Sequence, residues 1–360
     1  MTHSLARLRG LFGLSLLLVA GTGAVRAQIA QPDPIQAGGM VLTQSAEGAR
    51  LELRGDRVVR VALPPRGEIA SLAPLGTGGG REWIAAGSFS EEESSRLFLV
   101  TGDRTGSRPL PEPAGQKGAV RLNPVLLVED GTLAGLAWLE GDGGTKLSVR
   151  AAAWDGRSWG AVETVSLPGP GSQAGLTGAV LADGSWLLVW DAVDGEDDEI
   201  VWSRRPGRQG ETWTPVRPVS LNNHVPDVNP TLTATGSAGS TGSGALLAWS
   251  RYDGEGYRLR TARFDGIGEG HWKDERAAGP THTMHPAFVR DGDHIWLVYR
   301  SGQPRSWAVL ELSDSGRTLR RASALSALDE RPVVREESEG LRLRWPASKW
   351  EAGSSWEKVQ

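Results

Sequence analysis

The stretch GLTGAVLADGSWLLVW, residues 175–190, decides how this chain folds. It contains a short strand, a turn at Asp183-Gly184 and a more apolar strand that ends at Trp190. Asp-Gly is a favoured pair in two-residue hairpin turns, because both residues tolerate positive φ. The stretch therefore predicts a β-hairpin whose second strand is buried.

The same hairpin layout recurs along the chain. NPVLLVEDGTLAGLAW begins at Asn123, NPTLTATG begins at Asn229 and leads through a Gly/Ser insert to GALLAW, and HPAFVRDGDHIWLVY begins at His285. A weaker copy precedes them, in which EWIAAGSFS follows the turn TGGG. The closing aromatic residues of the four clear copies are 52, 59 and 50 residues apart: Trp138, Trp190, Trp249 and Tyr299. Spacing of this regularity predicts a repeat protein.

Each hairpin is followed by a second pair of strands, as in KLSVRAAAW and WGAVETVS. Four strands in a unit of about 50 residues are typical of a β-propeller blade. The complete units run near 67–116, 117–168, 169–222, 223–281 and 282–327. We therefore predict an all-β, six-bladed β-propeller with four antiparallel strands per blade. A stack of separate β-sandwiches is the alternative.

The sixth blade is predicted to be shared between the two ends of the propeller segment. Residues 332–345 are expected to supply its inner strands and residues 49–63 its outer strands, which would leave no open sheet edge across the ring. The propeller then spans 49–345, with an N-terminal linker over 28–48 and a C-terminal tail over 346–360.

Residues 1–27 have the pattern of a secretory signal peptide. Arg7 and Arg9 precede the apolar run LFGLSLLLVAG, and small residues lead to a cleavage point after Ala27. The alternative is a retained N-terminal anchor, although the apolar run is short for a bilayer span. We expect an exported protein, periplasmic or extracellular, with no membrane span after cleavage.

Composition narrows the possible functions. The chain has no Cys, which excludes disulfides and Cys-ligated metal sites. The formal net charge is −4 and no basic block stands out, so nucleic acid is not an expected partner. No phosphate-binding glycine loop or catalytic Ser/His/Asp set is visible, and no cofactor is expected.

WDGRSW, residues 154–159, places an Asp between two Trp residues, as sugar-binding sites do. The segment falls at the turn between the third and fourth strands of its unit, and similar turns recur in other units. A residue repeated around a ring is expected to be structural. We therefore predict that Asp155-Gly156 is a hairpin turn and that Trp159 packs between blades.

The segment VWSRRPGRQGETWTPVRPVS resembles the Asp-box (BNR-type) repeat of sialidase-like propellers, Ser-x-Asp-x-Gly-x-Thr-Trp. Gly210, Thr212 and Trp213 match its second half, and Arg208 holds the place of the Asp. SDSGRTL matches at Asp314, Gly316 and Thr318. The resemblance implies a six-bladed ring and often glycan chemistry, with the Asp-box as a fold-maintaining turn. The sialidase catalytic set does not carry over, because the Arg-Ile-Pro motif is absent and no Tyr–Glu pair can be assigned.

Candidate site residues lie in the connections between blades and between second and third strands, which vary most between units. Glu140, Asp191, Arg251 and Arg300 each follow a closing aromatic and are expected to surround the mouth of the central channel. Glu140 and Asp191 would serve a glycoside hydrolase as its carboxylates, and the two Arg residues would clamp an anionic ligand. An ion-paired rim is the alternative.

Further candidates lie in the connections that lead from one blade to the next. Asn123, Asn229 and Asp227 are predicted ligand-binding residues. His224, His282 and His285 are candidate metal ligands, with exposed polar loops as the alternative. The acidic run DGEDDE, 194–199, is interpreted as a solvated turn.

Two functions are compatible with these patterns. The first is a secreted, non-catalytic propeller that binds a glycan, a peptide or a partner protein on its loop-rich face. The second is a diverged sialidase-like glycoside hydrolase.

Overall fold

The computed structural model contains strands and connecting turns and, within the residues it describes, no helix. Those residues are 33–45, 48–53, 57–76, 82–91, 94–142, 146–167, 173–193, 197–207, 211–221, 223–236, 244–291, 293–302, 306–325, 331–337, 340–344 and 357–358. The predicted signal peptide, 1–27, lies outside them. No helix in this described part is long and apolar enough to cross a bilayer.

Six four-stranded antiparallel sheets follow one another along the chain and form the blades of a β-propeller, as predicted. The strands of blades 1 to 3 are β1 (Ile35–Ala37), β2 (Met40–Ser45), β3 (Gly48–Leu53), β4 (Arg57–Val61), β5 (Gly67–Leu75), β6 (Glu82–Glu91), β7 (Ser94–Gly102), β8 (Ser107–Leu110), β9 (Val120–Glu129), β10 (Thr132–Gly141), β11 (Leu147–Ala153) and β12 (Glu163–Thr164).

Blades 4 to 6 continue the pattern. Their strands are β13 (Gln173–Val180), β14 (Trp186–Val193), β15 (Asp198–Arg205), β16 (Arg217–Pro218), β17 (Asp227–Thr235), β18 (Gly244–Tyr252), β19 (Tyr257–Asp265), β20 (His271–Thr281), β21 (Thr283–Asp291), β22 (His294–Ser301), β23 (Ser306–Leu312) and β24 (Thr318–Leu325). Within each blade the strands pair in sequence order, so every blade is an antiparallel meander.

The closing aromatic residues pack between neighbouring blades. Trp138, Trp249 and Tyr299 are each at most 1% exposed, and so is Trp190. Trp138 belongs to the core between blades 2 and 3, and Tyr299 to the core between blades 5 and 6. Burial of such large side chains accounts for the repeat spacing, because each blade needs one of them to fill the wedge against its neighbour.

Residues 28–48 were predicted to be a linker, and this is wrong for 35–45, which form β1 and β2. Gly38 and Gly39 both have positive φ, 54° and 77°, and connect the two strands as a tight hairpin. Met40 and Leu42 are fully buried. The hairpin escaped the sequence analysis because β1 is only three residues long and shows no alternation.

The shared sixth blade is also wrong. β3 and β4 cover most of the predicted segment 49–63. β3 pairs with β2 and β4 with β3, which completes blade 1. Residues 332–345 instead contribute β25 (Val333–Glu337) and β26 (Gly340–Arg344) to a separate C-terminal sheet. Its third strand, β27 (Glu357–Lys358), comes from the predicted tail and pairs with β26. The reason is that β3 already pairs with β2, its neighbour along the chain, so that edge of β3 is not open to a strand from the C-terminal segment.

The C-terminal sheet lies between blade 6 and blade 1. Val334 and Leu343 share an apolar core with Trp296 and Trp307 of blade 6. Towards blade 1 the contacts are polar: Gln36 and the backbone of Val334 exchange two hydrogen bonds, and Arg344 pairs with Glu52. We call this polar junction the closing seam. It joins the two ends of the ring without a shared sheet.

Candidate functional site

The two ends of the propeller carry different connections. At one end the amide of Gly76 donates to Gly131 O at 2.8 Å, which joins the hairpin turns of blades 2 and 3. At the other end Tyr252 N donates to Pro226 O and Gly302 N to His282 O, both at 2.9 Å. This second end, which we call the loop face, therefore carries both the blade-to-blade connections and the connections between second and third strands, as predicted.

A central channel of about 310 Å³ runs between the first strands of the blades. Its lining comes from β1, β5, β9, β13, β17 and β21, and from residues 331–333 at the start of β25. The volume lies at the lower end of the range of about 300–1,000 Å³ that small-molecule sites occupy. The polar side chains of the lining are Gln36, Ser71, Asn123, Thr177, Thr231 and Arg331.

Several of these polar side chains use only part of their hydrogen-bonding capacity in contacts with other residues of the protein. Ser71 Oγ accepts from Leu126 N at 3.1 Å, and Thr231 Oγ1 accepts from Phe288 N at 3.3 Å. Asn123 Nδ2 donates to a backbone oxygen at 3.4 Å. A hydroxyl that accepts still has a hydrogen to donate, and an amide that donates still has an oxygen to accept. The lining therefore offers donors and an acceptor to a molecule in the channel.

Asn123 and Asn229, both predicted to bind ligand, occupy a special backbone position. Their φ values are 51° and 56°, and Gly175 and His285 have 50° and 52° at the same place in blades 4 and 6. At each of these places the register between first and second strand shifts. Asn and Gly adopt this left-handed conformation more readily than most residues. The backbone thus explains why Asn stands there, and of the two only Asn123 lines the channel.

Glu140 is buried in ion pairs. It is 6% exposed, and its Oε2 lies 3.1 Å from Arg121 Nε while its Oε1 lies 3.4 Å from Arg150 Nε. Trp138 Nε1 also donates to it at 3.2 Å. The carboxylate therefore links the first three strands of blade 3, and it is not part of the channel lining.

Arg251 and Asp227 form the equivalent pair in blade 5, with the charges exchanged between first and second strand. Asp227 is fully buried and accepts from Arg251 Nε at 2.8 Å and from Nη2 at 2.7 Å, as well as from Trp249 Nε1 at 3.0 Å. Arg251 Nη1 further donates to Glu275 at 2.8 Å. The guanidinium predicted to clamp a ligand is therefore engaged within its own blade.

Asp191 of blade 4 is not equivalent to Glu140 or Arg251, because it directly follows Trp190, whereas they stand two residues after their closing aromatics. Its cross-strand neighbours are Ala174 and Ile200, and neither supplies a counter-charge. Asp191 is 7% exposed, and its Oδ1 has no hydrogen-bond partner among the described residues. Burial and, secondarily, the negative charge of Asp198 raise the pKa of Asp191 to about 7. The carboxyl is therefore largely protonated in acidic solution.

Gly175 makes room for this carboxyl. A Cβ at Gly175 would lie 1.9 Å from Asp191 Oδ1 and 2.8 Å from Pro230 Cδ, which is too close for either contact. Gly is therefore required here in place of the Asn or His that the other blades carry. Asp191 is held against the backbone of β13, outside the channel lining.

Glu199, within the acidic run interpreted as a solvated turn, is buried at 4% exposure, and residues 194–196 of that run lie outside the described residues. Its Oε1 accepts from Asn223 N at 3.3 Å. Burial is the main cause that raises the pKa of Glu199 to about 7, with Asp227 and Asp197 adding to it. The sequence analysis missed it because a run of acids resembles an exposed loop.

The raised pKa of Asp191 predicts how stability depends on pH. Between about pH 4 and pH 7 the native carboxyl keeps a proton that the unfolded chain has released, so the free energy of unfolding falls as the pH rises through this window. Asp191→Asn should remove this decrease in the free energy of unfolding, which is of the order of 4 kcal/mol across the window. Chemical denaturation at several pH values measures it. The exposed Asp130→Asn is the control, and equal slopes for the wild type and Asp191→Asn would contradict the prediction.

Arg300 and His285 lie at the junction of blade 6 with the closing seam. Partial withdrawal from water lowers the pKa of His285, and the positive charges of Arg300 and Arg331 lower it further, while Asp33 acts in the opposite direction. Both guanidinium groups are therefore within electrostatic range of His285. The predicted candidate Arg300 thus belongs to a basic cluster that includes a residue of the channel lining, Arg331.

The three histidines proposed as metal ligands are not brought together. Across the described ranges, no three His, Asp or Glu side chains are close enough to hold a metal ion. The ring of His282 lies against Gly256, since a Cβ there would be 2.3 Å from His282 Nδ1. His285 lies in the basic cluster.

WDGRSW forms a turn, as predicted. Asp155 Oδ1 accepts from the amides of Arg157 and Ser158 at 2.8 and 2.6 Å, which lowers the pKa of the carboxyl. Trp154 and Trp159 bridge across the turn with ring centroids 4.9 Å apart, and Trp159 Nε1 donates to Pro111 O at 2.7 Å. The Asp closes its own turn and the Trp holds blade 3 to blade 2.

No family model matches the sequence, and no curated protein is similar to it. Among solved structures, a protein of unknown function from Dyadobacter fermentans is 14% identical with a TM-score of 0.50, over 74% of this chain and 84% of that one. At this identity the likeness shows the fold alone. The chain is a β-propeller.

Two further solved structures are less similar. The lectin of Aleuria aurantia, a six-bladed β-propeller that recognises fucose, is 13% identical with a TM-score of 0.47, over 81% of this chain and 93% of the lectin. The catalytic domain of an α-L-arabinofuranosidase from Coprinopsis cinerea is 11% identical with a TM-score of 0.37, over 66% of this chain and 86% of that domain. The sialidase-like resemblance stays a prediction.

Proposed function

We propose that this protein is an exported, non-catalytic propeller that binds a carbohydrate in its central channel, entered from the loop face. The observation that carries the proposal is the channel lining. Ser71, Thr231 and Asn123 come from three different blades, and each keeps a donor or an acceptor after its contact with the fold. Sugar hydroxyls donate and accept at once, so they match such a lining.

The state of the candidate carboxylates supports a binding role. Retaining and inverting glycosidases flank the scissile bond with two carboxyl groups. Here Glu140 is held by two guanidiniums in blade 3, and Asp191 is buried against Gly175 in blade 4. Neither belongs to the described lining of the channel.

A diverged glycoside hydrolase is the second candidate. One observation favours it: burial raises the pKa of Asp191 to about 7, the range that a catalytic general acid needs. A panel of chromogenic glycosides separates the two functions. Turnover that Asp191→Asn abolishes and Thr177→Val leaves intact would support the hydrolase.

The binding proposal is tested by titrating a panel of neutral and acidic saccharides into the purified protein. Thr177→Val removes a hydroxyl from the channel lining while keeping the shape of the side chain. Loss of one hydrogen bond of about 1 kcal/mol should weaken binding roughly fivefold. Thr132→Val, at an exposed position on the opposite end, is the matched control and should bind as the wild type does. Binding that both variants retain unchanged would place the ligand elsewhere.

A further inference from the structure

Arg331 is the one charged side chain among the described residues that line the channel. The remaining polar groups of the lining are amides and hydroxyls, and no Asp or Glu is among them. The chain as a whole carries a formal net charge of −4. The described lining therefore carries one positive charge and no negative charge, in a chain whose formal net charge is negative.

Among the described residues, the fold orients the guanidinium of Arg331 and supplies no carboxylate that neutralises it. Its Nη2 donates to Pro34 O at 2.7 Å, and its backbone amide donates to Asp33 Oδ1 at 3.1 Å. No described carboxylate lies within ion-pair distance of the guanidinium. Arg has five N–H donors in a planar fork, and the residues that the structure describes engage one of them. The others suit a planar anion such as a carboxylate.

The surroundings strengthen the positive potential at this place. Arg300 and Arg331 both act on His285 electrostatically, and Asp33 is the one described acid that acts on it. The two guanidinium groups come from β22 and from the segment before β25, while the lowered pKa of His285 keeps its ring mostly uncharged near neutral pH. A low-dielectric channel wall increases the attraction for an anion.

We propose that the ligand in the channel is an acidic sugar whose carboxylate is bound by Arg331. This inference rests on the carbohydrate site proposed above and names the class of its ligand. The guanidinium holds the carboxylate, and the hydroxyl and amide groups of the other blades hold the ring hydroxyls. Since Arg331 contacts Pro34 across the closing seam, the ligand also links blade 1 to the C-terminal sheet and raises the midpoint of thermal unfolding.

The experiment compares glucuronate, glucose and glucose 6-phosphate by calorimetric titration and thermal unfolding of the mature protein. We expect glucuronate to bind at least tenfold more tightly than glucose, with the preference falling as ionic strength rises. Arg331→Gln should abolish the preference. Arg104→Gln, at an exposed turn on the opposite end, should leave it unchanged.

Asp33→Asn keeps an oxygen for the amide of Arg331 and removes the opposing charge, so it tests the proposal even if Arg331→Gln fails to fold. It should tighten glucuronate binding by about threefold. Equal affinity for glucose and glucuronate, or no change in Asp33→Asn, would overturn the acidic-sugar proposal and leave the carbohydrate site standing. Tighter binding of glucose 6-phosphate would assign the site to phosphate instead. If no saccharide binds, the proposed function itself fails.

Discussion

Asp227→Ala is expected to lower the free energy of unfolding by about 3–5 kcal/mol, because it removes the buried counter-ion of the Arg251 guanidinium and leaves it with the partly exposed Glu275. Asp227 is fully buried, and the Arg251 side chain is 17% exposed. The substitution also removes the acceptor of Trp249 Nε1 and of Asn223 Nδ2. Denaturation by guanidinium chloride at constant pH measures the change.

An exposed ion pair supplies the matched control for this substitution. Arg217 and Glu269 lie 2.7 Å apart, with side chains 40% and 74% exposed. Glu269→Ala should cost less than about 1 kcal/mol, since surface pairs are screened by water and salt. The double variant Asp227→Ala/Arg251→Ala should be no less stable than Asp227→Ala, because it also removes the guanidinium that has lost its buried counter-ion. A loss below 1 kcal/mol for Asp227→Ala would show that the pair does not hold blade 5 together.

A chain that ends at residue 330 is expected to be aggregated or unfolded. It lacks the C-terminal sheet, so the apolar side of blade 6 at Val289, Trp296 and Trp307 loses the cover of Val334 and Leu343. It also loses the hydrogen bonds of the closing seam to Gln36 and Pro34. Exposed apolar surface and open sheet edges favour association. Size-exclusion chromatography and thermal unfolding measure the outcome.

Two shorter truncations serve as controls for this prediction. Removal of residues 359–360 leaves every described contact in place and should be silent. Removal of 357–360 takes away β27, which pairs with Arg342 and Leu343 at the outer edge of the sheet, and should cost a small part of the stability. A soluble, monomeric and cooperatively folding chain ending at 330 would mean that six four-stranded blades close the ring without the C-terminal sheet.

Neighbouring second-strand positions after the closing aromatic have different surroundings. Glu140 of blade 3 and Arg251 of blade 5 stand two residues after it and lie opposite a counter-charge in the first strand. Asp191 of blade 4 stands one residue after Trp190 and lies opposite Ala174. Successive side chains of a strand point to opposite sides of the sheet, so a shift of one position places this carboxyl away from the place where the other blades form their ion pair.

The repeat of closing aromatics was sufficient to predict the fold class and the extents of blades 2 to 6, because each blade must bury one large residue against its neighbour. The turn chemistry of Asp155-Gly156 was equally local, since an Asp caps the amides that follow it. The hairpin at Gly38-Gly39 was present in the sequence but too short to show a pattern.

The pairing of charges and the site itself could not be predicted in this way. Glu140, Asp191 and Arg251 all follow a closing aromatic within two residues, and only the strand register shows that Glu140 and Arg251 lie opposite a counter-charge whereas Asp191 lies opposite Ala174. Arg331 has no motif, and it enters the channel because the C-terminal sheet lies between blade 6 and blade 1. The spacing of residues along the chain determines which strands and turns form, because backbone hydrogen bonds and buried positions recur at that spacing. Contacts between distant segments set which polar groups meet, because they depend on the closure of the ring.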